Sequence, residues 1–201
     1  MRLDAGAAGV VLLAMRATVL ASLCLIALGG AAQADCPASP DLGADLQRLI
    51  GAARSAPDQA TGRDLSGQMW TLWLRAPDEA AQAALDAGMR RREAYDFAGA
   101  IKEYDRLVTY CPRYAEGYNQ RAFAYFLQGS FDRALADLDI ALHLQPLHVA
   151  AQAGRALTLM NLGRIAEART QLLEAVGNNP WLSERALLAE GAPLGPSDRE
   201  L

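Results

Sequence analysis

Small and apolar residues recur along the chain with a period of 34 residues, in three adjacent copies that span 81–114, 115–148 and 149–182. Within each copy the apolar positions follow helical spacing, three or four residues apart, in two runs separated by a turn. Two positions are identical in all copies: alanine at position 20 (Ala100, Ala134, Ala168) and proline at position 32 (Pro112, Pro146, Pro180). A fixed period of this length is typical of stacked helical hairpins and predicts two helices per copy.

The middle copy shows why such a pattern would fold into a hairpin. Ala122 on the first helix and Ala134 on the second are small enough to let the two backbones approach. Tyr125 and Leu138, at helical spacing from them, fill the space beside this contact. Gly129 follows the first helix, where a left-handed residue ends a helix at little cost. A single hairpin buries too little surface to be stable alone, so three copies with end caps are expected to form one stack.

This pattern resembles the tetratricopeptide repeat, through Tyr118, Ala122, Tyr125, Gly129, Ala134, Leu138, Ala141 and Pro146 of the middle copy. The first copy departs from it, since Arg91 and Tyr95 stand where the middle copy has Tyr125 and Gly129. The resemblance covers about half of the chain. It implies an all-α fold, a right-handed α-solenoid of helical hairpins that holds a protein or peptide partner.

The segments on either side of the repeats are expected to cap the stack. Residues 35–80 predict a degenerate helical hairpin, in which Trp70 and Trp73 close the open end of the solenoid; the alternative is a ligand platform. Residues 183–190 predict a capping helix. Residues 191–201 contain glycine and proline without periodicity and predict a flexible tail.

Residues 1–34 have the pattern of a secretory signal peptide. Residues 17–30 are uncharged and mostly apolar, Arg16 precedes them, and the small residues Ala32 and Ala34 follow at the spacing of a cleavage site. A start at Met15 would give this signal ordinary proportions. The pattern predicts a periplasmic protein with no membrane span after cleavage; the alternative is an uncleaved segment that anchors the chain in the membrane.

Two cysteines, Cys36 and Cys111, remain after such a cleavage, because Cys24 lies within the predicted signal. An even number in an oxidising compartment permits one disulfide. The alternative is a buried thiol at Cys111 and an exposed thiol at Cys36, and the sequence leaves both open.

No set of residues in the sequence predicts catalysis. His143 and His148 are the only histidines and are expected to be exposed at helix ends, without metal-ligand spacing. Arg121 and Arg155 share repeat position 7, where an arginine can pair with an acid of the second helix such as Asp137; we expect a structural ion pair or a solvated face. The chain carries a net charge of −4 without a basic cluster, which disfavours nucleic acid. We therefore expect neither an enzyme nor a cofactor or metal protein.

The resemblance also implies a peptide groove along the first helix of each repeat. Carried over by position, this groove is mostly apolar and consists of Leu85, Met89, Asn119, Phe123, Phe126, Leu127, Leu157, Met160 and Asn161. The lysines and asparagines that grip a C-terminal carboxylate in the chaperone-binding branch are replaced here by Leu85, Met89, Ala150 and Gly154. We expect a non-catalytic scaffold that binds an unknown envelope protein or peptide. The alternative is a structural scaffold that self-associates, as a homodimer for example, or whose groove is filled by its own terminal helices.

Overall fold

The computed structural model describes residues 35–196, so the predicted signal peptide at 1–34 lies outside the described residues. The described part of the chain contains eight α-helices followed by a short 3₁₀ helix at Ser183–Leu188. The α-helices are α1 (Gly43–Arg54), α2 (Gln59–Trp73), α3 (Glu79–Glu93), α4 (Phe97–Tyr110), α5 (Ala115–Leu127), α6 (Phe131–Leu144), α7 (Val149–Asn161) and α8 (Ile165–Asn178). Within residues 35–196, no helix is long and apolar enough to cross a bilayer.

The three sequence copies form the hairpins α3/α4, α5/α6 and α7/α8, and each hairpin stacks on the next through α4 with α5 and α6 with α7. Ala122 and Ala134 are buried where α5 crosses α6, beside Tyr125 and Leu138. The prediction of an all-α solenoid of hairpins is therefore confirmed. We call α3, α5 and α7 the A helices and α4, α6 and α8 the B helices.

The N-terminal ends of α2, α3 and α4 are each capped by an aspartate. Asp58, Asp78 and Asp96 accept hydrogen bonds from backbone N–H groups three residues later. These bonds favour the carboxylate and lower the pKa of each aspartate from its ordinary value of 3.8. Their stabilisation is present above that ordinary value and is lost as the pH falls through the lower folded-state pKa.

The first repeat packs its crossing point differently from the other two. Gly88 lies at the position of Ala122 and Ala156, and it faces the buried ring of Tyr104 where the other repeats have leucine. A Cβ at residue 88 would overlap this ring. The smaller residue on α3 therefore compensates for the larger residue on α4.

Gly88→Ala is expected to lower the free energy of unfolding by about 1–3 kcal/mol, because a buried aromatic ring has no room to move aside. In a Tyr104→Leu background the same substitution should be close to neutral, since it recreates the alanine–leucine contact of the other repeats. Urea unfolding of the four chains measures this coupling. An equal loss in both backgrounds would show that residues 88 and 104 do not determine each other's size.

The N-terminal hairpin α1/α2 lies elsewhere than the sequence predicted. We expected it to cap the open end before the first repeat, but α1 contacts α8, and Leu46, Ile50 and Met69 share a buried cluster with Val149 at the start of α7. The Trp181 indole N–H donates to the carbonyl of Ala53, 2.9 Å away. The hairpin therefore folds back over the third repeat.

The C-terminal segment also differs from the prediction. The expected capping helix is a 3₁₀ helix of six residues. The expectation of a flexible tail is wrong for residues 191–196, because Leu194 is fully buried in the core of the third repeat. Its backbone N–H donates to the carbonyl of Leu187, and its carbonyl accepts from Arg169 Nη1 at 3.0 Å. This segment covers the apolar end of the stack.

A disulfide joins Cys36, ahead of α1, to Cys111 at the end of α4, with the two Cα atoms 5.1 Å apart. Nearby, the Ser39 hydroxyl donates to the carbonyl of Arg113. The segment before α1 is thus fixed to the second half of the first repeat. Together with the α2–α3 connection, the disulfide attaches the N-terminal hairpin to the solenoid at both of its ends.

Candidate protein-binding face

The candidate site is the side of the solenoid formed by the A helices, which we call the A-helix face. The structure divides the predicted groove residues on this face into an accessible and an inaccessible set. The accessible set, which we call the exposed strip, consists of the exposed Phe123 and Leu127 and the half-buried Met89, Phe126, Leu157 and Met160. Asn161 is also exposed, and its Nδ2 donates to the carbonyl of Leu157.

The exposed strip is centred on the second half of α5. Phe123 and Leu127 are 46% and 41% exposed. Phe126 lies between them in sequence and packs edge-on against Phe131 with 5.4 Å between ring centroids. The A helices present these residues to solvent because their opposite sides are used to cross the B helices.

Two predicted groove residues do not line a groove, which corrects the sequence-based assignment. Leu85 is fully buried beside Tyr104, and Leu74 and Ala76 of the α2–α3 connection pack against the same cluster. Asn119 is buried and donates through Nδ2 to Glu116. The α2–α3 connection covers Leu85, and the Glu116 carboxylate engages Asn119, so neither side chain is open to a partner.

Arg92 brings a positive charge to the edge of the exposed strip. Its guanidinium lies over the ring of Phe123, 5.0 Å from the ring centroid, and donates to the side-chain oxygen of Gln120. A cation over an aromatic face is attracted to the negative face of the ring. The strip therefore combines apolar contact area with one guanidinium suited to an acidic or carbonyl group.

Tyr95, in the turn between α3 and α4, was not among the predicted site residues. It is 82% exposed and has a φ of 61°, at the position where the other repeats have Gly129 and Gly163 with φ of 75° and 74°. Its ring makes an edge contact with Phe97. A tyrosine held in the left-handed region without burial is unfavourable, and such outliers concentrate at binding sites. The departure from glycine at this position was the sequence signal that could have identified it.

Tyr95→Gly is expected to raise the free energy of unfolding by about 0.5–1 kcal/mol, because glycine adopts this backbone conformation without strain. Thermal unfolding of both chains measures the change. A lower unfolding temperature for the glycine variant would show instead that the contact of Tyr95 with Phe97 outweighs the backbone strain.

A buried polar cluster lies beneath the N-terminal hairpin, and it corrects the expectation that His148 is exposed. His148 Nε2 is 2.7 Å from Glu116 Oε2, and both side chains are 1% exposed. The imidazole is stacked on Trp73 with 4.2 Å between ring centroids. His148 Nδ1 accepts from the backbone N–H of Ala151, so the proton toward Glu116 is on Nε2. Because Trp73 is distant in sequence, no local pattern indicated this burial.

The arginines at repeat position 7 make the ion pairs that the sequence predicted. Arg121 donates two hydrogen bonds of 2.7 Å to Asp137 and a third to Asp105. The bonds to Asp137 and Asp105 raise the pKa of Arg121 above its ordinary value. Arg155 pairs with Asp139 of the preceding repeat. The ion pairs of Arg121 and Arg155 link A helices to B helices, so these arginines have a structural role.

In the described part of the chain, no group of three or more histidine, cysteine, aspartate or glutamate side chains could hold a metal ion. The A-helix face offers apolar surface, amide groups and the guanidinium of Arg92. This arrangement supplies contact area for a macromolecule.

The comparisons with known proteins agree with this description. No family model matches the chain. The chain is 33% identical to a TPR repeat-containing protein of Rhizobium etli over 64 residues, 32% of this chain and 31% of that protein. It is 32% identical to tetratricopeptide repeat protein 36 of Xenopus tropicalis over 124 residues, 59% of this chain and 58% of that protein. The matches thus span between about a third and somewhat more than half of these relatives.

Among solved structures, the chain is similar to the TPR2B domain of yeast Sti1, determined as a complex with pHsp70. The TM-score is 0.51 at 26% sequence identity, and the match covers 56% of this chain and 90% of that domain.

Proposed function

We propose that this chain, which belongs to the tetratricopeptide repeat family, is a non-catalytic scaffold of the bacterial periplasm or cell envelope that binds a protein or peptide through the exposed strip. The observation that carries the proposal is the exposure of Phe123 and Leu127 at the centre of the A-helix face. Apolar patches of this kind usually mark contact surfaces. The similar domain of yeast Sti1 was determined in complex with pHsp70, which supports a role in peptide binding.

The exposed strip favours a partner segment that is itself amphipathic. Methionine and phenylalanine side chains adapt to different apolar shapes, which suits a groove that takes up a helix or an extended peptide. Arg92 at the edge of the strip favours a partner with an acidic side chain beside its apolar residues. Tyr95 is accessible at the turn of the first repeat and is available as a further contact.

The periplasmic location rests on the signal-peptide pattern of residues 1–34. N-terminal sequencing of the protein from its host should give a mature chain that starts at Asp35. A chain that retains the apolar segment would support the membrane-anchored alternative.

One observation favours part of the alternative function, in which the groove is filled by the chain itself. The hairpin α1/α2 packs against Val149 and Trp73 stacks on His148, so the N-terminal end of the third A helix is already covered. The exposed strip, at the C-terminal ends of the A helices, is left open. We therefore assign partner binding to the strip, and self-occupation to the covered end.

The test compares partner capture from an envelope extract by three forms of the chain. Phe123→Ala/Phe126→Ala removes the centre of the strip and should reduce capture at least tenfold. The matched control is Ile165→Ala/Leu173→Ala, which removes two apolar residues of 44% and 50% exposure from α8 and should leave capture unchanged. Equal capture by all three forms would rule out the strip as the binding site.

A further inference from the structure

The inner side of α1 has the pattern of an amphipathic helix seated in a groove. Leu46, Leu49, Ile50 and Ala53 occupy positions i, i+3, i+4 and i+7 of α1 and are at most 4% exposed. They belong to the cluster that contains Val149, with Leu147 and Ala150 packed at its edge. These apolar side chains are thus buried jointly with α2 and with the start of α7.

A polar anchor follows directly after the apolar positions, at i+8. Arg54 Nε donates to the carbonyl of Gly177 at 2.7 Å, and its Nη2 donates to Asn178 Oδ1 at 2.8 Å. These acceptors lie in the last turn of α8, where the helix dipole favours a positive charge. The contact fixes the direction in which α1 crosses the third repeat.

The α1 helix depends on this surface for its own stability. It has 12 residues, and isolated helices of this length are marginal in water. The surface beneath α1 therefore stabilises the helical form of a short amphipathic segment.

We propose that the surface formed by the start of α7, the last turn of α8 and Trp181, which we call the α1 dock, is a binding site for an amphipathic helix, and that α1 is a built-in competitor for it. The partner carries large apolar residues at i, i+3 and i+4, a small one at i+7 and an arginine at i+8. It binds when the hairpin α1/α2 is displaced. The α1 dock is separate from the exposed strip, so this inference goes beyond the proposed function.

Two glycines of α2 allow the hairpin to be displaced with a matched control. A Cβ at Gly62 would overlap the ring of Trp181, whereas a Cβ at Gly67 meets nothing within 4 Å. Gly62→Ala should therefore push the hairpin away from the α1 dock. Gly67→Ala makes the same chemical change on the same helix without this effect.

The probe is a fluorescently labelled synthetic peptide of residues 41–56, added to the full oxidised chain. The peptide should bind the Gly62→Ala chain at least tenfold more tightly than the wild-type or Gly67→Ala chain, and a peptide with Ile50→Asp should not bind. Adding Phe123→Ala/Phe126→Ala to the Gly62→Ala chain should leave the affinity for the peptide unchanged. This result separates a failure of this inference from a failure of the exposed strip as a binding site. Equal binding to all chains, binding to none, or equal binding of the Ile50→Asp peptide would overturn the proposal.

Gly62→Ala could unfold the whole repeat array, which circular dichroism would detect as a loss of helix. A second variant keeps the proposal testable in that event. Ile50→Asp in the chain itself places a carboxylate in the hairpin's own contact and leaves the α1 dock intact. The native peptide should then bind this chain at least tenfold more tightly than wild type. If the Ile50→Asp chain keeps its folded repeat array but binds the peptide no more tightly than wild type, the proposal is also overturned.

Discussion

Replacing Glu116 with alanine is expected to lower the free energy of unfolding by about 3–5 kcal/mol, because each buried hydrogen-bond donor left without its acceptor costs about 1–3 kcal/mol. Glu116 accepts hydrogen bonds from His148, Asn119 and Gln120. Its loss leaves three donors without this acceptor in a region from which water is excluded, and each unsatisfied buried donor is itself destabilising. Urea unfolding followed by circular dichroism measures the change.

The control for this prediction is an exposed carboxylate with an equally short contact. Glu167 pairs with Arg164 at 2.6 Å on the surface of α8, where solvent screens the interaction. Glu167→Ala should therefore have little effect. If the two substitutions lowered the free energy of unfolding equally little, the buried cluster would not hold α5 against the start of α7.

Removing the disulfide is the second large effect that we expect. Cys36 and Cys111 are separated by 75 residues, and the chain-entropy relation for a closed loop of this length gives about 4.5 kcal/mol. The double variant Cys36→Ser/Cys111→Ser should unfold at a correspondingly lower urea concentration than the oxidised protein. Reductant should lower the stability of the wild-type chain to the same level and should not affect the double variant. An unfolding midpoint that is the same with and without reductant would contradict the contribution of this bond.

The repeat array could be predicted from the sequence because its determinants are local and periodic. Alanine at position 20, glycine or its substitute at position 15 and proline at position 32 each act within one hairpin, and stacking follows from the constant register. The same register identified Phe123 and Leu127 as exposed residues of the A-helix face. Each of these inferences needed contacts only between neighbouring elements.

The position of the N-terminal hairpin depends on contacts that no local pattern contains. Arg54 meets Gly177 across 123 residues of sequence, and Ala53 meets Trp181 across 128. Such contacts arise from the fit between two particular surfaces, such as Gly62 against the Trp181 ring. For the same reason His148 appeared exposed in sequence, since its burial requires Trp73 from a different part of the chain.

Site-specific photo-crosslinking tests the central claim, that the exposed strip binds the partner, most directly. A benzophenone amino acid in place of Phe123 keeps an aromatic group at the centre of the strip, and the same amino acid in place of Leu173 reports on an equally exposed site of α8. We expect the probe at residue 123 to crosslink one partner protein in the envelope of living cells and the probe at residue 173 to give no such product. Crosslinking of the partner from residue 173 alone, or equally from both residues, would contradict the account.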